Sequence, residues 1–420
     1  NMIRPEKFHV SWERAWSWYP FRVHARGVAA NGQARSQQWQ FSTPEVSGSI
    51  AVLPLIFKRV WVSDVEGRDI DYRQRPRLKP GKDYSALLPH FPDIEGREIA
   101  PAVTTPRKQK RPWKIAIDNA RASGSHSFWI FNMRGTGEGS MLADLTFETR
   151  GGPFSLDGRD LDLQLAPLYI NGEREVFGRA SVQGALGFAP FVPREHKDIT
   201  LLQFLLLDAE IDLDANSLAF INVFTAGAGG AKVDGSGQVS GRLVSDSGQV
   251  LPGTDLTVEA RDLKVQFAAL NVAGEGDIAL FADAATPEQI QLDFHYDDLA
   301  VNHDDDSRPM LTGHGLHLVM RGSSRLNIGS DSLSDQAAIG FNVEGLEVPD
   351  LALLQRYLPA KWPIELYGGQ GVLRGGLLLE PTALTVDLSL NSDEAHMGAR
   401  QYRFTTDLEA ALKLDNPSIL

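Results

Sequence analysis

The 420-residue chain contains no cysteine. That excludes thiol catalysis, Cys-ligated zinc and a disulfide framework, and is neutral between cytosol and bacterial periplasm. Long apolar runs are missing too. The longest candidates, Ala51–Phe57 and Leu201–Leu207, fall far below the ~18–20 residues that cross a bilayer as a helix. Positive charge is in deficit, with 41 Lys and Arg against 54 Asp and Glu and a net charge of −13. Such a surface repels a phosphate backbone, so nucleic acid is not an expected partner. Neither a Gly-x-Ser-x-Gly elbow nor a His-Glu-x-x-His helix occurs, which removes two common hydrolytic arrangements. No signal peptide opens the chain, where Asn1 precedes Met2, and the other end stops inside the strand-like Leu408–Leu414. We therefore expect the native polypeptide to continue beyond both ends, with a membrane anchor before Asn1.

What the chain has instead is glycine in a recurring place. Gly-x-Gly or Gly-x-Ala, followed by small or apolar residues, starts at Gly137, Gly178, Gly235, Gly274, Gly313 and Gly369. Residues two apart in a strand share a face. The first copy then puts Gly137, Gly139, Met141, Ala143, Leu145 and Phe147 on one side, with Glu138, Asp144 and Glu148 on the other. The second puts Gly178, Ala180, Val182, Leu186 and Phe188 opposite Arg179 and Gln183. Val239 and Leu243 share the glycine face of the third copy, and Leu373 and Leu377 that of the sixth, whose Arg374 points away. In the fifth, this parity places His317 and Arg321 on the glycine face, a departure from the pattern. Alternation continues elsewhere, as in Ile115-x-Ile117, Leu256-x-Val258, Ile290-x-Leu292-x-Phe294-x-Tyr296 and Leu384-x-Val386-x-Leu388. This is the signature of sheets with one wet face.

Helical signals are few and short: Asp350 caps Leu351–Leu358 ahead of Pro359, Ser217–Ala226 stops at Gly227, and Thr200–Leu207 follows Asp198. Helix, strand and glycine motif recur together at Asp212–Leu243 and Asp350–Leu377, a larger repeated unit. The proline-rich stretch 81–112, with Arg107-Lys108-Gln109-Lys110-Arg111, reads as a linker or long loop. It separates an N-terminal module, 1–80, from a repeated β region, 113–420. The fold expected is mainly β: an elongated, curled antiparallel sheet shaped like a groove or taco, with a few short helices. A radius of gyration well above the ~22 Å of a compact 420-residue chain is the matching scattering result.

Phe21–Val28, Val46–Ile50, the turn Leu53-Pro54-Leu55-Ile56 and Val60–Ile70 together resemble the opening module of the AsmA-like and TamB-like family of bacterial envelope proteins. The repeated Gly-x-Gly-x-x-x-Gly-x-Leu strands and the Asp350–Leu358 helix are similar to that family's later repeats. The resemblance implies a periplasmic segment of an inner-membrane-anchored protein, its anchor outside this stretch. A repeating hydrophobic β-groove would there conduct phospholipid between inner and outer membranes, with outer-membrane or periplasmic proteins as further partners. A non-catalytic scaffold for envelope assembly is the alternative.

A sheet with one apolar face must bury it against itself, a second layer or a ligand, and the helices are too few to form a layer. Acyl chains gain ~0.8 kcal/mol per buried methylene and need no polar recognition. The expected lining is Met141, Leu145, Phe147, Val182, Leu186, Phe188, Val239, Leu243, Leu373 and Leu377. No catalytic residue, metal or cofactor is expected. Gly135–Gly139 and Gly227–Lys232 lack the strand–loop–helix setting and the Gly-Lys-Ser/Thr ending of a phosphate loop. His303-Asp304-Asp305-Asp306, with His314 and His317, reads as a solvated hairpin loop rather than a calcium site.

Overall fold

A computed structural model describes residues 8–19, 21–33, 37–78, 83–86, 88–95, 111–149, 151–170, 174–193, 195–196, 198–225, 231–267, 269–325, 337–358 and 362–416. The chain is mainly β, 71% strand and 8% helical, with twenty-five strands in a mixed sheet among the described residues. It divides into two compact units, residues 1–214 with 243–248 and residues 215–242 with 249–420.

In the first unit Arg22–Gln33, Gln37–Ala51 and Arg59–Arg68 form a meander. A second runs through Lys114–Ile130, Met133–Glu148, Phe154–Leu165 and Arg174–Phe191. All pairings within these two runs are antiparallel. Where they meet, the pairing is parallel: Arg59–Arg68 and Asp71–Pro76 both lie alongside Lys114–Ile130. Among the described residues the sheet is thus antiparallel, as expected, except at this junction. Antiparallel neighbours need only a tight turn, whereas the stretch after Pro76 is long enough for the crossover that parallel strands require.

Aspartate and asparagine set the bulges. Asp64, Asn119 and Asp160 take left-handed backbone angles of 50°, 54° and 49°, which these side chains tolerate better than most. The backbone N–H of Asn119 donates to Asp144 Oδ1 at 2.7 Å, and its side-chain Nδ2 donates to Asp64 Oδ1 at 3.3 Å. Register slips by one residue between Ile117 and Ala120 and again between Ser140 and Leu142. Each slip inserts one residue without turning the later apolar side chains over, so Ile115, Ile117, Ala120 and Ala122 remain on one side. Aligned bulges also bend the sheet and increase its twist.

The second unit is built from the part of Gly237–Asp246 up to Arg242, with Asp255–Phe267, Leu270–Phe281, Gln289–His303, Leu316–Ser323, Ala338–Val348, Gly371–Leu379, Leu384–Ala399 and Tyr402–Asn416. One face of its middle strands is shut from solvent, with Leu263, Val265, Ile278, Leu292, Phe294, Tyr296, Met320, Leu346 and Val348 all at most 2% exposed. Short helical turns contribute Leu218, Ile221, Leu351 and Leu353 to the buried set. The Leu351–Tyr357 turn is capped as expected, Ala352 N donating to Asp350 Oδ1 at 3.0 Å. The Asp198–Phe204 turn, by contrast, ends before Leu205, which opens the strand Leu205–Ala215. A β-branched-poor leucine run suits either state, and the alternation that follows it decides for strand.

The apparent departure at the fifth glycine copy is also resolved here. Gly315 sits at a φ of 72° in the break between Leu311–Gly313 and Leu316–Ser323. Beyond that break Leu316, Leu318 and Met320 turn inward, and His317 and Arg321 face solvent.

Tyr296 is fully buried and its hydroxyl has no hydrogen-bond partner; burial drives its pKa upward. An unsatisfied buried hydroxyl costs about 1–3 kcal/mol. Tyr296→Phe is therefore expected to leave the unit equally stable or to stabilise it by about 1 kcal/mol. A chemical-denaturation midpoint that falls instead would mean that a bound water or ligand satisfies the hydroxyl.

Candidate functional site

The candidate site is the apolar face of the first unit. Its cross-strand register forms two rows, Ile117–Leu145–Leu156–Phe188 and Ile115–Phe147–Phe154–Phe191. Val182 pairs with Leu163, which also faces Gly139, while Leu186 and Ala143 both pair with Gly158. Met141 pairs with Ala122 and lies over the bare Gly158 position. Six expected residues, Met141, Leu145, Phe147, Val182, Leu186 and Phe188, thus come together on one face.

The opposite face carries the polar set. Arg159 pairs with Asp144 at 3.0 Å, Lys114 with Glu148 at 2.8 Å and Arg179 with Asp214 at 3.6 Å. Gln183 Nε2 donates to Asp162 Oδ1 at 3.2 Å, and Glu138 is exposed. The parity read from the sequence places both sets correctly because the extra residues fall in Lys114–Ile130 and Phe154–Leu165, and the stretches 137–147 and 182–188 that carry the expected residues run without one.

What distinguishes this face is its incomplete burial. Met141, Leu145, Phe147, Val182, Leu186 and Phe188 are all half-buried, as are Ile115, Ile117, Phe154 and Leu156. One end holds an aromatic cluster: Phe154 meets Phe191 edge-on at 5.5 Å, Phe188 lies 5.9 Å from Phe191, and Phe204 stacks on Phe191 at 5.4 Å. Sequence reading did not single out Phe154, Phe191 and Phe204, although Phe154-x-Leu156 carries the same alternation.

Of the remaining four expected residues, Val239, Leu373 and Leu377 lie in the second unit and Leu243 in the 243–248 stretch of the first. Val239 is 2% exposed and pairs with Val258 in the closed face of the second unit. Leu373 and Leu377 are half-buried in the same unit, paired with Leu390 and Val386. Leu243 is half-buried.

The other chemical candidates take structural parts. His303 Nδ1 accepts from Asp305 N at 3.2 Å, and Asp304 accepts from Gln266 and Asn271. Arg308 grips Asp306 and draws its carboxyl down to about 2. No group of three metal-ligating side chains is assembled among the described residues. Gly135–Gly139 lies inside the strand Met133–Glu148; Gly227–Gly230 falls outside the described residues. The basic run is described only at Arg111. Trp129 Nε1 donates to the His90 carbonyl at 3.2 Å, and Trp16 stacks on His24 at 5.7 Å. A depression of about 190 Å³ in the second unit opens beside His317, Arg321 and Asn342, with Val319, Phe341 and Leu378 also lining it. Among the described residues no helix is long and apolar enough to cross a membrane.

No family model and no curated protein matches the chain.

Proposed function

We propose that the first unit binds phospholipid acyl chains along its half-buried apolar face, as a lipid-conducting segment of a bacterial envelope protein. The observation that carries this reading is the pair of rows Ile117–Leu145–Leu156–Phe188 and Ile115–Phe147–Phe154–Phe191, apolar across four strands yet only half-buried everywhere except at the buried Phe191. A contiguous apolar face left uncovered in a soluble unit marks a binding surface. An acyl chain laid across it gains ~0.8 kcal/mol for each methylene removed from water. Movement to the next row exchanges equivalent contacts, so the barrier to sliding is low. Nothing in these rows is a nucleophile or an acid–base pair, which fits transfer rather than catalysis. A periplasmic site, anchored in the inner membrane, belongs to the same reading.

The experiment places a photoreactive residue at Phe147 or Leu145 and identifies adducts by mass spectrometry after detergent-free purification. Phospholipid adducts at both positions are expected, and none at Glu138 on the polar face. Repeated absence of lipid at Phe147, Leu145 and Phe188 in folded protein overturns the proposal. The second reading, a non-catalytic scaffold assisting envelope assembly, is favoured by one feature: the closed face of the second unit, where Leu263 and Phe294 are fully buried.

A further inference from the structure

The turn after the strand Gln37–Ala51 is a 3₁₀ helix, Leu53–Phe57, in which no residue is buried. Leu53 and Ile56 are each 76% exposed and Phe57 is 75% exposed. Five consecutive residues of this composition, held in water by a folded sheet, bear a hydration cost that burial against the described residues does not relieve. Lys58 closes the turn in a left-handed conformation, with its N–H donating back to Leu55 O and Pro54 O, so the apolar tip is a shaped element.

Its surroundings reverse the charge of the chain. Lys58 O accepts from Lys114 N at 3.1 Å, and Phe21 O accepts from Ile50 N at 2.8 Å, which brings Arg22, Lys58, Arg59 and Lys114 to this end of the strands. The acids facing them are Glu148, paired with Lys114, and Asp118, which accepts from Trp61 Nε1. Among the described residues named here, four cations stand against two acids, although the whole chain carries −13. Trp61 and Phe21 are 49% and 61% exposed, adding one amphipathic and one apolar ring beside these cations. The same end carries the terminal row of the apolar face, since Val60 pairs with Ile115, and Ile115 with Phe147.

We propose that the turn Val52–Lys58 inserts into the headgroup boundary of an anionic bilayer, with Arg22, Lys58 and Arg59 on the lipid phosphates. An apolar tip bordered by cations and aromatic rings, without a pocket, matches a lipid surface. The surface stands apart from the acyl-chain proposal: it rests on the exposed turn and its charges, not on the open rows.

The absence of cysteine permits a direct test. Ile56→Cys carries an environment-sensitive fluorophore, and the full chain is mixed with phosphatidylcholine vesicles containing about 30% phosphatidylglycerol. Emission from position 56 is expected to shift to the blue, and from a label at Glu66→Cys to stay unchanged. Leu53→Asp/Ile56→Asp/Phe57→Asp should weaken vesicle partitioning about tenfold or more. Lys58→Glu/Arg59→Glu should weaken it on anionic vesicles and not on pure phosphatidylcholine. Unchanged partitioning in both variants, their fold checked by circular dichroism, overturns the proposal. A blue shift that grows with protein concentration in the absence of vesicles also overturns it, since a second copy would then cover the turn. Lipid content is measured by mass spectrometry on the same samples. Lipid retained without vesicle binding removes the docking surface and leaves the acyl-chain site standing.

Discussion

Leu263→Asp is expected to unfold the second unit, while Leu145→Asp leaves the first unit folded and abolishes its lipid adducts. Both positions are apolar residues on the inward parity of a strand, and they differ in what covers them. Leu263 is fully buried beside the equally closed Val265 and opposite Gly274. A carboxylate there has neither water nor a partner, so it must stay protonated or break the packing, at a cost of several kcal/mol. That is a large share of the ~5–15 kcal/mol that holds a domain together. Leu145 is half-buried between Ile117 and Leu156, and a carboxylate there keeps contact with water. Its expected effect on stability is about 1 kcal/mol, but it puts a charge in the path of an acyl chain. Limited proteolysis with peptide mapping reads each unit separately, and crosslinking from Phe147 reads the lipid. Equal loss of protection in both variants would show that the Leu145 face is ordinary core.

The contrast also explains what could be read from the sequence. Alternation identified the strands and their inward parity, because the side-chain period of two is a local property. It held beside the bulges at Asn119 and Asp160 because the extra residues sit in those strands and the intervening strand Met133–Glu148 is regular. Where a break falls between strands, as at Gly315, parity counted straight through it gives the wrong face for His317 and Arg321. Openness was not legible. Leu145-x-Phe147 and Leu256-x-Val258 look alike, yet the first pair is half-buried and the second closed. Burial depends on which distant elements fold over a strand, and no short pattern records that. The parallel pairing of Arg59–Arg68 with Lys114–Ile130 was hidden for the same reason, since it is set across a long connection. The Leu53–Phe57 turn was visible as an apolar run, but only the structure shows that none of its residues is buried by the described chain.

Gly375→Ala is expected to destabilise the second unit by about 2–4 kcal/mol, the sum of backbone strain and overpacking. Gly375 has a φ of 109°, a region that costs an L-residue about 1–2 kcal/mol. A Cβ at this position would also collide with the Asp387 carbonyl oxygen and come within 3.1 Å of Leu388 Cα. These are backbone atoms of the paired strand, so relief requires strand separation rather than a rotamer change. Gly345 provides the control, because a Cβ there would meet Val372 Cγ1 at an ordinary 3.5 Å. Gly345→Ala should therefore change stability by less than about 0.5 kcal/mol. The same collision, with a carbonyl oxygen of Asp or Glu on the next strand, awaits a Cβ at the motif glycines Gly235, Gly274 and Gly369. At these positions the motif glycine marks where two backbones approach too closely for a side chain, which a general need for flexible strands does not explain; Gly178 and Gly313 meet no backbone oxygen closer than 3.6 Å and fall outside this account. Denaturation midpoints that fall equally for Gly375→Ala and Gly345→Ala would remove this account, leaving only the loss of conformational freedom common to both.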